Sequence, residues 1–202
     1  MNRVLPQELL QYVRHGREER YLEYKERLDW SQSAHQVKLV KAVLGMSNVR
    51  GGGVLVIGVK KDGTAVGLSE EEALQFTQDA VAAVVNTYAA PYAEITVTTG
   101  TDSDASSWFV IVQVSEFDQV PVICKRDGNG LRQGAVYTRG RRIHETTEVR
   151  SEAEMREIIE MAISKGVDKE LGTFFRRFEG TGIPPSPMVD HRARFEAELE
   201  DL

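Results

Sequence analysis

The run Gly51-Gly52-Gly53, followed at once by Val54-Leu55-Val56-Ile57-Gly58-Val59, constrains this chain more than any other feature. Three consecutive glycines do not propagate a helix, and a continuous β-branched run reads as a central strand buried on both faces. Upstream, between Ala34 and Asn48, Val37, Val40 and Leu44 form one helical stripe with Leu39 and Val43 beside it. A helix ending at Asn48, a sharp glycine turn and a core strand are therefore the predicted centre of the fold. The apolar run is far short of the roughly 20 residues needed to cross a bilayer, so no membrane association is expected.

The rest of the chain fits around that centre. Pro6–His15 places Leu9, Leu10 and Val13 at helical spacing, and Leu22 and Tyr24 alternate with Glu23 and Lys25 in a short strand with a polar face. After the central strand, Asp62-Gly63 marks a turn and Thr64–Leu68 a returning strand. Ser69 with Glu72 is a capping-box pattern that opens a long helix to about Ala89. Ala93–Thr99, Ser107–Ser115, Val120–Cys124 and Ala135–Arg139 read as strands, and Glu152–Ser164 as a closing helix. This order predicts an α+β fold, a mixed β-sheet with helices packed over it. Residues 1–165 form the expected domain. Residues 166–202 are an acidic, partly helical tail containing the Pro/Gly-rich linker Gly180–Pro187.

Charge separates the two regions. The net charge is −6, which alone disfavours a generic nucleic-acid binder. Residues 1–50 nevertheless carry nine basic and six acidic side chains, whereas residues 151–202 carry seven and twelve. Between Lys125 and Arg142, the basic residues Lys125, Arg126, Arg132, Arg139, Arg141 and Arg142 meet only Asp127. That is a local basic patch, readable either as a solvated hairpin or as a phosphate-binding surface. Met1–Pro6 has no apolar segment of signal-peptide type, so a cytoplasmic location is expected.

Several chemistries are disfavoured by spacing. Gly53, Gly58 and Lys60 approximate a phosphate loop, but Val59 intrudes, no hydroxyl follows the lysine and the intervening residues form a strand; an ATPase is not expected. The glycine run instead lets the helix turn into the strand, with backbone amides open to an anion. His15, His35, His144 and His191 have no ligand or triad spacing, and the single cysteine, Cys124, excludes an intrachain disulfide. The acidic residues leave more open. Glu18 and Glu23 flank the first strand, Lys25 shares the face of Glu23, and Asp62 leaves the central strand. Carboxylates converging at strand ends beside a lysine suit Mg²⁺ or Mn²⁺ and a phosphodiester, although surface turns contain the same residues.

Four segments together resemble the Schlafen-type AlbA-like domain. Glu18–Lys25 is similar to the family's E-x-x-x-x-E-F-K opening, with Tyr24 in place of Phe, and Val43–Val59 to A-F-A-N-x-x-G-G-x-L-x-I-G-V. Asp62–Leu68 resembles the D-G-x-x-x-G-L hairpin. Gln119–Pro121, Gly134–Arg142 and the Glu152–Ile159 helix resemble the P-x-x…G-x-Y-x-R-x-G-S ending. The resemblance implies a single AlbA-like lobe over roughly residues 8–165 and nucleic-acid binding. In Schlafen proteins it also implies a metal-dependent endoribonuclease acting on structured RNA through a Glu, Glu, Asp cluster. The two glutamates match Glu18 and Glu23; the family's aspartate position is Lys60 here, with Asp62 two residues on.

Three functions follow. The first is binding of RNA or DNA, with phosphates held by Arg139, Arg141 and Arg142 and assisted by Lys25, Lys60 and Lys61. The second is an Mg²⁺- or Mn²⁺-dependent endonuclease with Glu18, Glu23 and Asp62 as metal ligands and catalytic residues. The third is a non-enzymatic assembly or regulatory module whose tail binds a protein partner. A homodimer is expected, since one lobe offers only half of a two-lobe cradle, and Leu171–Phe178 with Phe174, Phe175 and Phe178 is the expected contact surface.

Overall fold

In the computed structural model, residues 4–102 and 107–179 are described, with side chains as far as Phe174. In chain order the elements are α1 (Gln7–Arg14), β1 (Leu22–Lys25), α2 (Ser33–Ser47), β2 (Gly53–Ile57), α3 (Glu70–Leu74), α4 (Gln78–Tyr88), β3 (Ala89–Ala90), β4 (Ile95–Thr101), β5 (Trp108–Val114), β6 (Ile123–Cys124), β7 (Tyr137–Arg139), β8 (Thr146–Glu148) and α5 (Glu152–Glu179). The main sheet runs β1-β2-β5-β4, with β3-β6 and β7-β8 as two small ladders. β1 and β2 are parallel, while β5 is antiparallel to both β2 and β4. This is the mixed sheet with packed helices that the sequence predicts.

All five residues of β2 are buried, and the two-residue period of the strand assigns them to different cores. Leu55 and Ile57 join Leu39, Val40, Val43, Val110 and Val112 beneath α2 and α4. Val54 and Val56 point the other way, to Leu9, Leu10 and Val13 of α1 and to Leu22, Tyr24 and Ile111. One strand thus feeds two hydrophobic layers, which is why its sequence shows no polar alternation.

The glycine run turns α2 into β2 with Gly51 and Gly52 at φ +79 and +70. A Cβ on Gly52 would lie 2.0 Å from the Val114 carbonyl oxygen, so a side chain is excluded both by backbone conformation and by space. The expected anion at these amides is part of the chain: the Gly51 N–H donates to the Glu116 carboxylate at 2.6 Å. Asn48, fully buried, fixes the end of α2. Its amide nitrogen donates to the carbonyls of Leu44, Val122 and Tyr137 at 3.2, 2.8 and 2.9 Å. Its oxygen accepts from the Val122 N–H at 2.9 Å. One side chain therefore joins the helix to the β6 and β7 segments.

Three expectations change. The long helix from Ser69 is two helices: Phe76 is buried against Trp30 with ring centroids 5.0 Å apart, and the Thr77 hydroxyl, accepting from the Ala80 N–H, caps a new start at Gln78. Thr64–Leu68 makes only isolated bridges, Val59 to Ala65 and Leu68 to Trp108, rather than a full strand. The closing helix runs past Ser164 to Glu179. The chain divides into two compact units, residues 1–162 and 163–202. The linker Gly180–Pro187 and the rest of the expected tail lie outside the described residues. Among those described, no helix is long and apolar enough to cross a membrane.

Replacing Asn48 by Ala strands one buried N–H and three carbonyls, each costing about 1–3 kcal/mol when left unpaired. Asn48→Ala is expected to lower unfolding free energy by roughly 2–4 kcal/mol in urea titration. Asn48→Asp, which removes all three donations and places a charge against carbonyls, is expected to be at least as damaging.

Candidate functional site

The two glutamates named from the sequence come together on the outer side of β1, an edge strand of the main sheet. A cleft of about 460 Å³ opens there, lined by Glu18, Glu23, Lys25, Lys61, His144 and Glu145 and, from α2, by Lys38 and Lys41. Two glycines shape its walls. A Cβ on Gly63 would lie 2.1 Å from the Gly16 carbonyl oxygen, so the 60–64 turn rests backbone-to-backbone on the segment leading to Glu18. A Cβ on Gly45 would lie 2.4 Å from Thr146 Cγ2, so a small residue in α2 admits the β7–β8 ladder.

Each glutamate is already engaged. Glu18 Oε1 accepts from the Tyr24 N–H at 3.0 Å, and Lys61 Nζ stands 4.0 Å from its Oε2. Glu23, only 8% exposed and not the solvated polar face expected of β1, has Lys25 Nζ at 2.6 Å from Oε1 and the Arg139 guanidinium on Oε2. Asp62 does not line the cleft. Its Oδ1 accepts from the Thr64 N–H at 2.9 Å, and hydrogen bonds from the Thr64 backbone and hydroxyl hold its carboxyl below the usual range. Lys60 likewise stays outside the lining while Lys61 enters it. Among the described residues, no group of three or more His, Cys, Asp or Glu side chains is arranged to hold a metal ion. A divalent ion needs oxygen ligands that are not already neutralised by guanidinium and ammonium groups. The residues present do not fit the three-carboxylate site that the Schlafen resemblance implies.

The arginines separate into locked and open ones. Arg139, expected on phosphate, is fully buried. Besides Glu23, it donates from Nε to the Arg20 carbonyl at 2.7 Å, and from Nη2 to the carbonyls of Glu19 at 3.1 Å and His144 at 2.7 Å. A longer bond from Nη2 reaches the Leu22 carbonyl at 3.4 Å. It is a structural clamp, and the correction is required by solvent exclusion: a phosphate cannot reach it. Arg20 returns a bond from Nε to the Arg139 carbonyl at 2.9 Å and forks onto Glu157 at 2.8 and 3.0 Å. The Arg20 fork, with Arg141 adding to it, holds the Glu157 carboxyl below its ordinary range. Arg141 touches Glu157 only through Nε at 3.2 Å, and its side chain is 72% exposed. With Arg20 already on both Glu157 oxygens, releasing Arg141 is cheap. Arg141, Arg142 and Ile143 line a second cleft of about 900 Å³, which shares Glu145 with the first.

The basic run in the sequence is therefore partly neutralised by residues far along the chain: Arg132 by Glu148, Arg139 by Glu23, Arg141 by Glu157. What the sequence reading missed is Lys38 and Lys41. Lys41 Nζ lies 5.8 Å from the Tyr137 ring centroid, and neither lysine has an ion pair among the described residues. Their three-residue spacing on the polar side of α2 was visible. That this side faces the same cleft as Glu18 and Glu23 was not.

Arg139→Met leaves Glu23 and several carbonyls buried without their partner and is expected to cost about 3–5 kcal/mol of stability. Arg141→Ala, at an exposed pair, is expected to cost under about 1 kcal/mol. Equal losses in urea melts of the two variants would remove the distinction between clamp and open arginine.

Comparisons with known proteins add the family. A search of curated proteins finds no match. Among solved structures, the crystal structure of the DIP2311 protein from Corynebacterium diphtheriae is similar at 15% identity and a TM-score of 0.45 over 64% of this chain. The similarity spans 22% of that protein. The family model described as Schlafen, AlbA_2 matches residues 18–148, which is well over half of the chain and runs from the first cleft glutamate through β8. The chain belongs to the Schlafen AlbA_2 family.

Proposed function

We propose that this protein binds nucleic acid by its phosphates, through the cleft lined by Lys25, Lys38, Lys41 and Lys61 and the neighbouring Arg141 and Arg142. Membership of the AlbA_2 family supports a nucleic-acid-related function in general. The observation that carries the finer reading is the convergence of four lysines from three separated chain segments on one cleft. Lys25 and Lys61 there answer Glu23, Glu18 and Glu145, leaving Lys38 and Lys41 without an ion pair among the described residues, with the exposed Glu26 as a further carboxylate in the lining. Such contacts position a backbone and carry no sequence information, so RNA and DNA of any sequence compete for them. Lys60, half-buried beside Lys61, assists at the turn. Arg139 supports the site from behind without touching the ligand. No hydrolytic step is proposed, because Asp62 is not in the cleft and Glu18 and Glu23 are engaged by Lys61, Lys25 and Arg139.

The second reading, an assembly module that pairs with another copy of itself, is favoured by a different observation. Ile163, Val167 and Leu171 recur every fourth residue along α5 and are each about half exposed or more. The side chains of Phe175 and Phe178, expected in the same surface, lie outside the described residues. Light scattering at micromolar concentrations is expected to give twice the 22.6 kDa chain mass, and Val167→Glu with Leu171→Glu the single mass.

Phosphate binding is tested by fluorescence anisotropy with labelled RNA and DNA hairpins across a salt series. Lys38→Ala with Lys41→Ala is expected to reduce the slope of log affinity against log salt by roughly 1.4–1.8, the value for two lost contacts. Absence of salt-dependent binding to every probe overturns the reading. An unchanged slope removes α2 from the interface.

A further inference from the structure

The β7–β8 loop carries an unusual tip. Ile143 is 68% exposed, more than any other large hydrophobic residue described, and it follows directly on Arg141 and Arg142. A single exposed aliphatic residue is ordinary on a protein surface. This one is held out by construction. A Cβ on Gly140 would lie 2.6 Å from the Ile143 carbonyl oxygen, so the turn closes only because residue 140 has no side chain. The Ile143 carbonyl also accepts from the Glu145 N–H at 2.8 Å, and the Gly140 N–H reaches the Glu145 carbonyl at 3.3 Å. Both ends of the loop are tied to the buried guanidinium, through Arg139 itself and through the His144 carbonyl at 2.7 Å. Arg-Arg-Ile is thus presented on a preorganised turn.

We propose that this tip is a wedge for double-stranded nucleic acid: Ile143 enters the minor groove against a base step while Arg141 and Arg142 take the flanking phosphates. The inference rests on the phosphate-binding reading above and adds the form of the ligand. Aliphatic side chains flanked by arginine partially unstack base steps from the minor groove and bend the duplex. Single strands, by contrast, are held by stacking bases on exposed aromatic rings. Neither cleft offers a freely exposed ring of this kind. Tyr24, the one tyrosine, phenylalanine or tryptophan lining the first, is buried with its hydroxyl donating to the Tyr12 carbonyl at 2.8 Å, and the exposed Tyr21 lines neither. The half-buried His144 imidazole in the first cleft is held by its Nδ1 to the Glu18 carbonyl at 3.2 Å. Charge sets the side on which the duplex lies. The α5 wall of the second cleft bears Glu152, Glu154 and Glu160 against Arg156 alone, a net negative face that repels a polyanion and turns it across the tip toward the first cleft.

The test uses the full chain and its Ile143→Ser and Ile143→Leu variants, with duplex DNA, duplex RNA and the matching single strands measured across one common salt series. The expected result is about tenfold weaker duplex binding for Ile143→Ser, an unchanged salt slope, recovery in Ile143→Leu and no change on single strands. Duplexes labelled at both ends are expected to shorten in energy-transfer measurements with the unaltered protein and not with Ile143→Ser. Ile143→Ser binding duplex as tightly as the unaltered protein, or losing equal affinity for duplex and single strand, overturns the wedge while leaving phosphate binding in place. Loss of salt-dependent binding altogether in the unaltered protein overturns both.

Discussion

A guanidinium sealed from solvent organises the part of this molecule that carries the candidate site. An arginine in the interior keeps its charge, so it persists only where a carboxylate and a full set of acceptors surround it. Arg139 has Glu23 and the carbonyls of Glu19, Arg20 and His144, with Leu22 at a longer distance. These groups come from β1, from the segment before it and from the loop after β7, which belongs to a ladder outside the main sheet. Asn48 ties the same ladder to α2 from the other side. The walls of the lysine-lined cleft are thus fixed by two buried polar side chains rather than by hydrophobic contact alone.

This arrangement bears on how a chain with net charge −6 carries the lysine-lined cleft proposed to bind phosphate. The glutamates nearest the lysines are engaged internally: Glu23 by Arg139, Glu18 by the Tyr24 amide. Their charge is largely compensated within the protein. Lys38 and Lys41, which lack such partners among the described residues, are set against the exposed Glu26 and Glu145 of the same cleft, and exposed charges of this kind act over about a Debye length, about 8–10 Å at physiological salt. Position and pairing, not total charge, decide what the cleft attracts.

Much of the fold was legible because its signals are local. The β2 run, the Asn48-to-Gly53 turn and the Ser69–Glu72 box each state a backbone requirement within a few residues. The second helix start after Thr77 escaped notice because the contact that accompanies it, burial of Phe76 against Trp30, involves a residue 46 positions away in the chain. The site was legible in part for the same reason. Glu18, Glu23 and Lys25 could be read from β1 and its approach, and the family resemblance added weight to them. Asp62 misled, since an Asp-Gly turn and a metal ligand look alike in sequence; only the bond to Thr64 tells them apart. Arg139 misled in the opposite sense. Its sequence neighbours are exposed arginines, and the partners that bury it lie 116 to 120 residues upstream.

The engagement of β1 has one more consequence. The carbonyls of Tyr21, just before the strand, and of Lys25 at its end face β2, accepting from Val54 and Gly58. The alternate groups face outward, where a sheet edge normally offers itself to any passing strand. Here Arg139 takes the Arg20 carbonyl and reaches toward that of Leu22, and Glu18 takes the Tyr24 N–H. The Glu19 backbone takes the Leu22 N–H and carbonyl at 3.1 and 3.0 Å, so a turn of the chain and two side chains together stand where a neighbouring strand would and close the edge against edge-to-edge association. Residues singled out as candidates for chemistry thus also occupy the hydrogen-bonding positions of a sheet edge.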